Sequence, residues 1–166
     1  MNRIWFRVLT ALLCLLFVIP AAAQAKSTQL AEKYAKYDQF ILIDKSSNVL
    51  QYYEKGKLVK SFSVGTGRKK TYTPEGLFTI REKIKNRPYY KEKIKGGDPK
   101  NPLGDRWLGL KVTINGKVSY AYGIHGTNNE KSIGKYVSAG CIRMHNKDVR
   151  WLYDRIDVGT AVLITH

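Results

Sequence analysis

Residues 39–64 read QFILIDKSSNVLQYYEKGKLVKSFSV and alternate apolar, strand-forming runs with turn residues. The strands predicted from these runs cover residues 40–43, 49–53 and 58–64. The turns between them lie at residues 44–48, which are mainly polar, and at Lys55-Gly56-Lys57, which has hairpin-turn chemistry. This segment therefore predicts three consecutive strands and, with them, a mainly β fold.

The sequence after this segment continues the strand pattern. Further strands are predicted at residues 77–80, 107–112, 118–124 and 161–164, with a turn at Asn115-Gly116. Residues 81–106 are the least regular part of the chain. The repeated Glu-Lys-Ile-Lys at 82–85 and 92–95 predicts two arms of a hairpin or excursion there.

Only one segment has convincing helical periodicity. A helix is predicted over about residues 146–156, with Asn146 as its N-cap and Gly159 beyond its end. Its apolar stripe consists of Val149, Leu152, Tyr153 and Ile156. With 166 residues the chain has room for one ordinary domain, so we expect a single mainly β domain over residues 39–166.

The first 25 residues have the pattern of a secretory signal peptide. Arg3 and Arg7 precede an apolar run at residues 8–19, and small residues lead to a cleavage site after Ala25. An uncleaved membrane anchor is the alternative, because the apolar run approaches membrane-spanning length. The sequence thus predicts export to the cell envelope, either the cell wall or the periplasm.

Cys14 and residues 26–38 are two further features of the N-terminal region. A lipoprotein attached through Cys14 is disfavoured, because bulky Leu13 precedes it where a small residue is expected. Residues 26–38 are predicted to form a linker or short arm before the domain.

Cleavage would leave Cys141 as the sole cysteine, which excludes an internal disulfide. Two of the 29 Lys and Arg residues leave with the peptide, and 27 against 13 acidic residues give a formal charge of +14. Such a charge attracts polyanions. Outside the membrane these are anionic wall polymers and lipid headgroups, so nucleic acid is not the expected partner. We expect a monomer that is not inserted in the membrane after cleavage.

The motif richest in reactive groups pairs His125 with Cys141. His125 ends a predicted strand just before Gly126, and Cys141 follows Gly140 in a turn shortly before the helix. A thiol attacks as thiolate, and a nearby histidine can take its proton and later return it to the leaving group. Arg143 can lower the pKa of the thiol or hold a substrate carboxylate. Gly140 lets the backbone approach a substrate, whose oxyanion nearby N–H groups can receive.

These residues also admit simpler interpretations. A single cysteine is most often a small buried apolar residue. His145 is a rival base, although helix capping or packing also explains it, and His166 ends the chain. The sequence contains no spaced metal-ligand cluster, phosphate loop or dinucleotide-binding motif.

Four ordered motifs resemble those of the L,D-transpeptidase family, which has the YkuD-type catalytic domain. They are an opening hairpin over residues 41–53, Thr73-Pro74-Glu75-Gly76-Leu77-Phe78, Asn101-Pro102-Leu103-Gly104-Asp105-Arg106-Trp107-Leu108-Gly109, and His125-Gly126-Thr127 with Gly134 and Ser138-x-Gly140-Cys141-Ile142-Arg143. The resemblance covers about residues 38–166. One departure is Ala139, where the family usually carries His, Lys or Arg.

The resemblance implies a β-sandwich domain that acts on peptidoglycan stem peptides without a metal or organic cofactor. Cys141 is the implied nucleophile and attacks the carbonyl of the third stem residue, a diamino acid linked to D-alanine. His125 is the implied general base and acid, and a backbone carbonyl near Gly126 orients its ring. Transfer to the side-chain amine of a neighbouring stem gives a 3→3 cross-link. Water as acceptor gives L,D-carboxypeptidase activity instead.

Other residues receive supporting roles from the same resemblance. Gly140 and Gly126 are expected to serve the oxyanion and the orientation of the reactive groups. Substrate binding is assigned to Arg143, Ser138, Trp107 and Tyr122.

Two different functions remain as alternatives. A wall-peptide cysteine hydrolase on another fold is one, but papain-like enzymes place Cys before His in the chain. Sortases have His first, but the Arg106-Trp107 and Ser138-x-Gly140-Cys141 elements do not resemble theirs. The second alternative is a non-catalytic, basic envelope-binding module, which predicts an inert thiol.

Overall fold

The segment at residues 39–64 folds into three antiparallel strands, as its pattern predicts. They are β1 (Gln39–Asp44), β2 (Val49–Glu54) and β3 (Lys57–Ser63). Lys55 and Gly56 take φ angles of 48° and 74° in the turn between β2 and β3. Two consecutive positive φ angles match the right-handed twist of a tight hairpin, which explains why this turn holds the two strands in register.

The computed structural model describes residues 29, 32–69 and 71–166. The predicted signal peptide and its cleavage site lie outside these residues and remain predictions. Of the predicted arm, Tyr34 and Tyr37 stack on Phe40, with ring centroids 4.9 and 6.2 Å apart. This part of the chain therefore packs against the domain. Within the described residues, no helix has the length and apolar character needed to cross a membrane.

Eight further strands complete the domain. They are β4 (Thr66–Gly67), β5 (Gly76–Lys85), β6 (Arg106–Ile114), β7 (Lys117–Ser119), β8 (Gly123–His125), β9 (Tyr136–Ser138), β10 (Ile142–Arg143) and β11 (Ala161–Thr165). The main sheet has the order β10-β8-β6-β5-β11-β1-β2-β3, with β7 also paired to β6. Strands β4 and β9 form a separate two-stranded sheet.

The main sheet curls until its two ends meet. Gly65 lies just after β3, at one end of the sheet, and Arg143 lies in β10, at the other. Each donates its backbone N–H to the carbonyl of the other at 2.8 Å. The predicted mainly β domain with one helix is confirmed, and its sandwich is built from one curled sheet.

The apolar residues of β1 are buried on both sides of the sheet. Ile41 and Ile43 belong to the large core cluster inside the curl, whereas Phe40 and Leu42 belong to a smaller cluster on the opposite side. Burial on both sides explains why this strand is an unbroken apolar run instead of an alternating one.

The helix, α1, covers Asn146–Tyr153 and packs its buried Val149 and Leu152 into the large cluster. Two details of the prediction are wrong. The N-cap is His145, because the side chain of Asn146 binds the loop after β8. The helix ends at Tyr153 instead of about residue 156, so that the chain can bury Ile156 and turn into β11.

The interpretation of residues 81–106 was also partly wrong. Residues 82–85 continue β5 and pair with β6, with Ile84 opposite Trp107, so the two Glu-Lys-Ile-Lys copies are not two arms of one hairpin. The predicted strand at 118–124 divides into β7 and β8. Residues 86–105 form a long excursion between β5 and β6, hereafter the excursion.

Candidate active site

His125 is fixed at the end of β8 by a backbone hydrogen bond and an aromatic stack. Its ring is buried, and Nδ1 lies 2.6 Å from the carbonyl oxygen of Gly126. Since a carbonyl oxygen only accepts, the proton sits on Nδ1 and Nε2 is left unprotonated. Trp107 of β6 stacks on the imidazole, with centroids 5.5 Å apart and planes 19° apart.

Cys141 lies directly before β10, the strand that pairs with β8, which carries His125. Strands β8 and β10 are parallel, with Ile142 opposite Ile124 and Arg143 opposite His125. The thiol is partly buried and its Sγ lies 3.6 Å from the carbonyl oxygen of Ala121. The sheet thus places beside each other the strand that carries His125 and the strand that Cys141 precedes, although a long loop separates the two residues in sequence.

Both reactive groups are neutral in the free site at neutral pH. The pKa of His125 is lowered from 6.5 to about 4, mainly by burial and also by the positive charges of Arg143 and Arg87, against hydrogen bonds to the backbone of Gly126 and Leu103. Burial raises the pKa of the Cys141 thiol, against the backbone of Gly123 and the same two arginines. The site therefore holds a thiol beside a neutral imidazole, not a preformed ion pair.

Two hydroxyl groups fix the cysteine loop, which comprises residues 138–141. Ser138 Oγ donates to the carbonyl of Cys141 at 2.6 Å and accepts the N–H of Gly140 at 3.0 Å. Thr73 Oγ1 donates to the carbonyl of Gly140 at 2.9 Å and accepts the N–H of Gly67 at 2.9 Å. The loop is therefore bound from inside and from a segment far away in sequence.

Gly140 occupies a position that no other residue type fits. Its φ is 135°, and a Cβ there would lie 2.5 Å from the carbonyl oxygen of Tyr72 and 2.8 Å from the ring of Tyr122. Because its N–H is bound to Ser138, Gly140 offers no free oxyanion donor in this structure. The N–H of Cys141 has no acceptor among the residues that the structure describes, so it remains available.

Two of the four residues assigned to substrate binding are enclosed by protein. Trp107 is 2% exposed, and its Nε1–H donates to Glu82 Oε1 at 3.2 Å. Ser138 is also 2% exposed and its hydroxyl is committed within the cysteine loop. In this structure Trp107 supports the ring of His125 and Ser138 shapes the loop, and their assignment to substrate binding stays a prediction.

The other two assigned residues keep accessible surface at the site. Tyr122 is half-buried and its ring lies against Gly140. Arg143 is half-buried, and its Nε has no hydrogen-bond partner among the described residues. Ala139 is exposed, so the position where the family usually carries a polar residue faces solvent.

Asn146 was predicted as the N-cap of the helix, but its side chain binds the loop that follows His125. Its Oδ1 accepts the N–H of Thr127 at 3.1 Å and its Nδ2 donates to the Thr127 carbonyl at 2.9 Å. These bonds fix the histidine loop, residues 125–127. A Cβ on Gly126 would lie 2.0 Å from Asn146 Oδ1, so the glycine is required for this contact.

The remaining histidines lie apart from this pair. His145, the rival base, is the N-cap of α1, and its Nδ1 contacts the carboxylate of Glu130. His166 is exposed at the last position. Over residues 29, 32–69 and 71–166, no three His, Cys, Asp or Glu side chains come together in a metal-ligand cluster.

The chain belongs to the L,D-transpeptidase catalytic-domain family, YkuD, whose model matches residues 38–164. It is 48% identical over 129 residues to the putative L,D-transpeptidase YqjB of Bacillus subtilis (strain 168). The match covers 77% of this chain and 72% of that relative.

Solved structures share the fold at lower sequence identity. An L,D-transpeptidase from Mycobacterium tuberculosis H37Rv matches with a TM-score of 0.60 at 17% identity, over 78% of this chain and 58% of that one. L,D-transpeptidase 3 of M. tuberculosis, in complex with a faropenem-derived adduct, matches with a TM-score of 0.55 at 20% identity, over 78% and 61%. This chain thus spans about three fifths of those two chains.

Proposed function

We propose that this protein is an exported cell-wall L,D-transpeptidase that forms 3→3 peptidoglycan cross-links through a Cys141 thioester. The observation that carries the proposal is the Nδ1–H hydrogen bond from His125 to the Gly126 carbonyl. It fixes the tautomer in which Nε2 can accept the proton of a thiol on the neighbouring strand. Membership of the family supports peptidoglycan stem peptides as the substrate class.

The first half of the reaction is acylation of the thiol. His125 Nε2 takes the proton of Cys141 as Sγ attacks the carbonyl carbon of the third stem residue. The carbon–nitrogen bond to D-alanine then breaks, and the imidazolium returns the proton to the leaving amine. A thioester and free D-alanine result. Because the pKa of His125 is lowered to about 4, the imidazole is unprotonated at neutral pH, as a general base must be.

The second half of the reaction transfers the acyl group. The side-chain amine of the diamino acid in a second stem attacks the thioester carbon and loses a proton to His125. The carbon–sulfur bond breaks, and the thiolate of Cys141 takes that proton back. The product is an amide between the third residues of two stems. Water in place of the amine would give a free acid and an L,D-carboxypeptidase.

The tetrahedral intermediates of both halves carry a negatively charged oxygen. The free N–H of Cys141 can donate to it, and Arg143 supplies positive charge nearby. Outside the site, the formal charge of +14 expected for the mature chain suits a wall that contains anionic polymers.

Intact-mass spectrometry tests the nucleophile. The protein is incubated with faropenem, and we expect a covalent adduct of one inhibitor per chain. Cys141→Ala should form none, and His125→Ala should remain folded but acylate far more slowly. Absence of an adduct on the wild-type protein would favour a non-catalytic envelope-binding module.

Product analysis tests the acceptor. The protein is incubated with tetrapeptide muropeptides, and the products are separated by mass. Dimers with loss of one D-alanine support 3→3 transfer. Tripeptide monomers alone would replace the proposal with an L,D-carboxypeptidase, and unchanged tetrapeptides would reject both activities.

A further inference from the structure

Arg87 is a positive charge beside the candidate active site that affects the pKa values of His125 and Cys141 but has no role in the proposed reaction. It lies near the start of the excursion, with its guanidinium 4.1 Å from the ring centroid of Trp107. Trp107 in turn stacks on His125 at 5.5 Å. Arg87 and His125 thus contact the same indole ring, and the charges of Arg87 and Arg143 both act on His125 and on Cys141.

The excursion holds Arg87 in a defined position. Asn101 is 1% exposed, and its Nδ2 donates to the carbonyl of Arg87 at 2.9 Å and to that of Lys95 at 3.3 Å. A Cβ at Gly96 would lie 1.7 Å from the carbonyl oxygen of Asn86, so the two arms of the excursion are in close contact. A side chain held on a fixed backbone can select between ligands more sharply than one on a mobile loop.

The nearby carboxylates are engaged with other residues. Glu82 pairs with Arg81 and accepts the indole N–H of Trp107. Asp105 pairs with Arg106 at 3.4 Å and with Arg150 at 2.5 Å. Their negative charges are thus already balanced by other cations.

Arg87 and Arg143 have no carboxylate within ion-pair distance in the part of the chain that the structure describes. Two guanidinium groups without a counter-ion favour an anion, and their planar forks match the geometry of a carboxylate. The site therefore lacks the negative charge that a ligand would bring.

We propose that Arg87, together with Arg143, binds the C-terminal carboxylate of the donor peptide and selects donors that end in a free acid. The inference rests on the proposed function, in which D-alanine carries that carboxylate directly beyond the bond that breaks. Arg87 is then a specificity-determining residue at the leaving-group side of the site. A donor with a carboxamide in the same place offers one acceptor oxygen and no negative charge, so it cannot form the paired, charge-assisted bonds of a carboxylate.

The test compares two donors of equal size, a tetrapeptide stem with a free terminal carboxylate and the same peptide with a terminal carboxamide. Release of D-alanine or D-alaninamide is measured to give kcat/KM for each. We expect the wild-type protein to prefer the acid, and Arg87→Gln to reduce the acid-to-amide ratio by about 20-fold, as for loss of one hydrogen bond to a charged group. Arg87→Lys should keep part of the preference, because it keeps the charge.

Lys85→Gln is the matched control, since it removes one exposed positive charge two residues away at the end of β5. It should keep the wild-type ratio. An unchanged ratio in Arg87→Gln, or an equal fall for both donors, overturns the inference and leaves the proposed function intact. Failure of the wild-type protein to release D-alanine from either donor overturns both. Thermal unfolding of each variant verifies that the fold is retained.

Discussion

The two loops that carry the reactive side chains are held by different kinds of contact. The histidine loop is held by the stacked ring of Trp107 and by the amide of Asn146 on α1. The cysteine loop is held by hydroxyl groups, one of its own and one from Thr73. Because the two sets of supports share no residue, each loop can be disturbed while the other stays in place.

The largest expected effect comes from crowding the cysteine loop with Gly140→Ala. Its Cβ would meet the carbonyl oxygen of Tyr72 at 2.5 Å, and the φ of 135° is strained for alanine. Displacing the thiol by about 1 Å should slow faropenem acylation roughly 100-fold or more, measured by mass spectrometry. The control is Gly116→Ala, with φ of 75° and no atom within 4 Å, which should acylate normally. Equal rates in both variants would contradict the role of crowding.

The next largest effect concerns His125 and is a dependence of the free energy of unfolding on pH. Since burial lowers the pKa of His125 from 6.5 to about 4, the unfolded chain binds the proton more readily in this range. The contribution of His125 to stability is fully present above about pH 6.5 and is lost as the pH falls towards 4, by about 3 kcal/mol. Urea unfolding of the wild-type protein and His125→Gln at pH 7 and pH 4 measures this difference. Parallel losses in the two proteins would contradict it.

Some parts of the fold and site could be predicted from the sequence and others could not, depending on whether the signal is local. Residues 39–64 predicted their strands because turn residues and apolar runs are local signals. Residues 82–85 looked irregular because their strand depends on pairing with β6, which no local pattern reveals. Cys141 and His125 were identified from reactive residue types and ordered motifs.

The residues that hold the two loops could not be predicted from the sequence, because their partners lie far away along the chain. Thr73 reaches a carbonyl 67 positions away, and the motif that contains it gave no indication of that partner. Trp107 was assigned to substrate binding from the family resemblance, yet its position in β6, next to β8, buries it against His125. Asn146 looked like a helix cap because its actual partner, Thr127, lies in another segment.

A smaller effect is expected from Thr73→Val, which keeps the shape of the side chain but removes its hydroxyl. The carbonyl of Gly140 and the N–H of Gly67 each lose a buried partner. Acylation should slow by about 10-fold, as for the loss of one or two buried hydrogen bonds. The pH dependence attributed to His125 should not change, because the histidine loop keeps its supports. Thr79→Val, at an exposed position of β5, is the control and should acylate at the wild-type rate.

The smallest effect is expected from Asn146→Ala, which removes the amide that bridges both backbone groups of Thr127. His125 itself keeps its stack and its hydrogen bond to Gly126, so acylation should fall by only about fivefold while the free energy of unfolding falls by about 1–2 kcal/mol. Asn128→Ala, which loses an exposed bond to Lys100, should change neither value. Indistinguishable results for the two variants would mean that the ring contacts alone hold the histidine loop. A clear difference would show that α1 supports the base as well as the core.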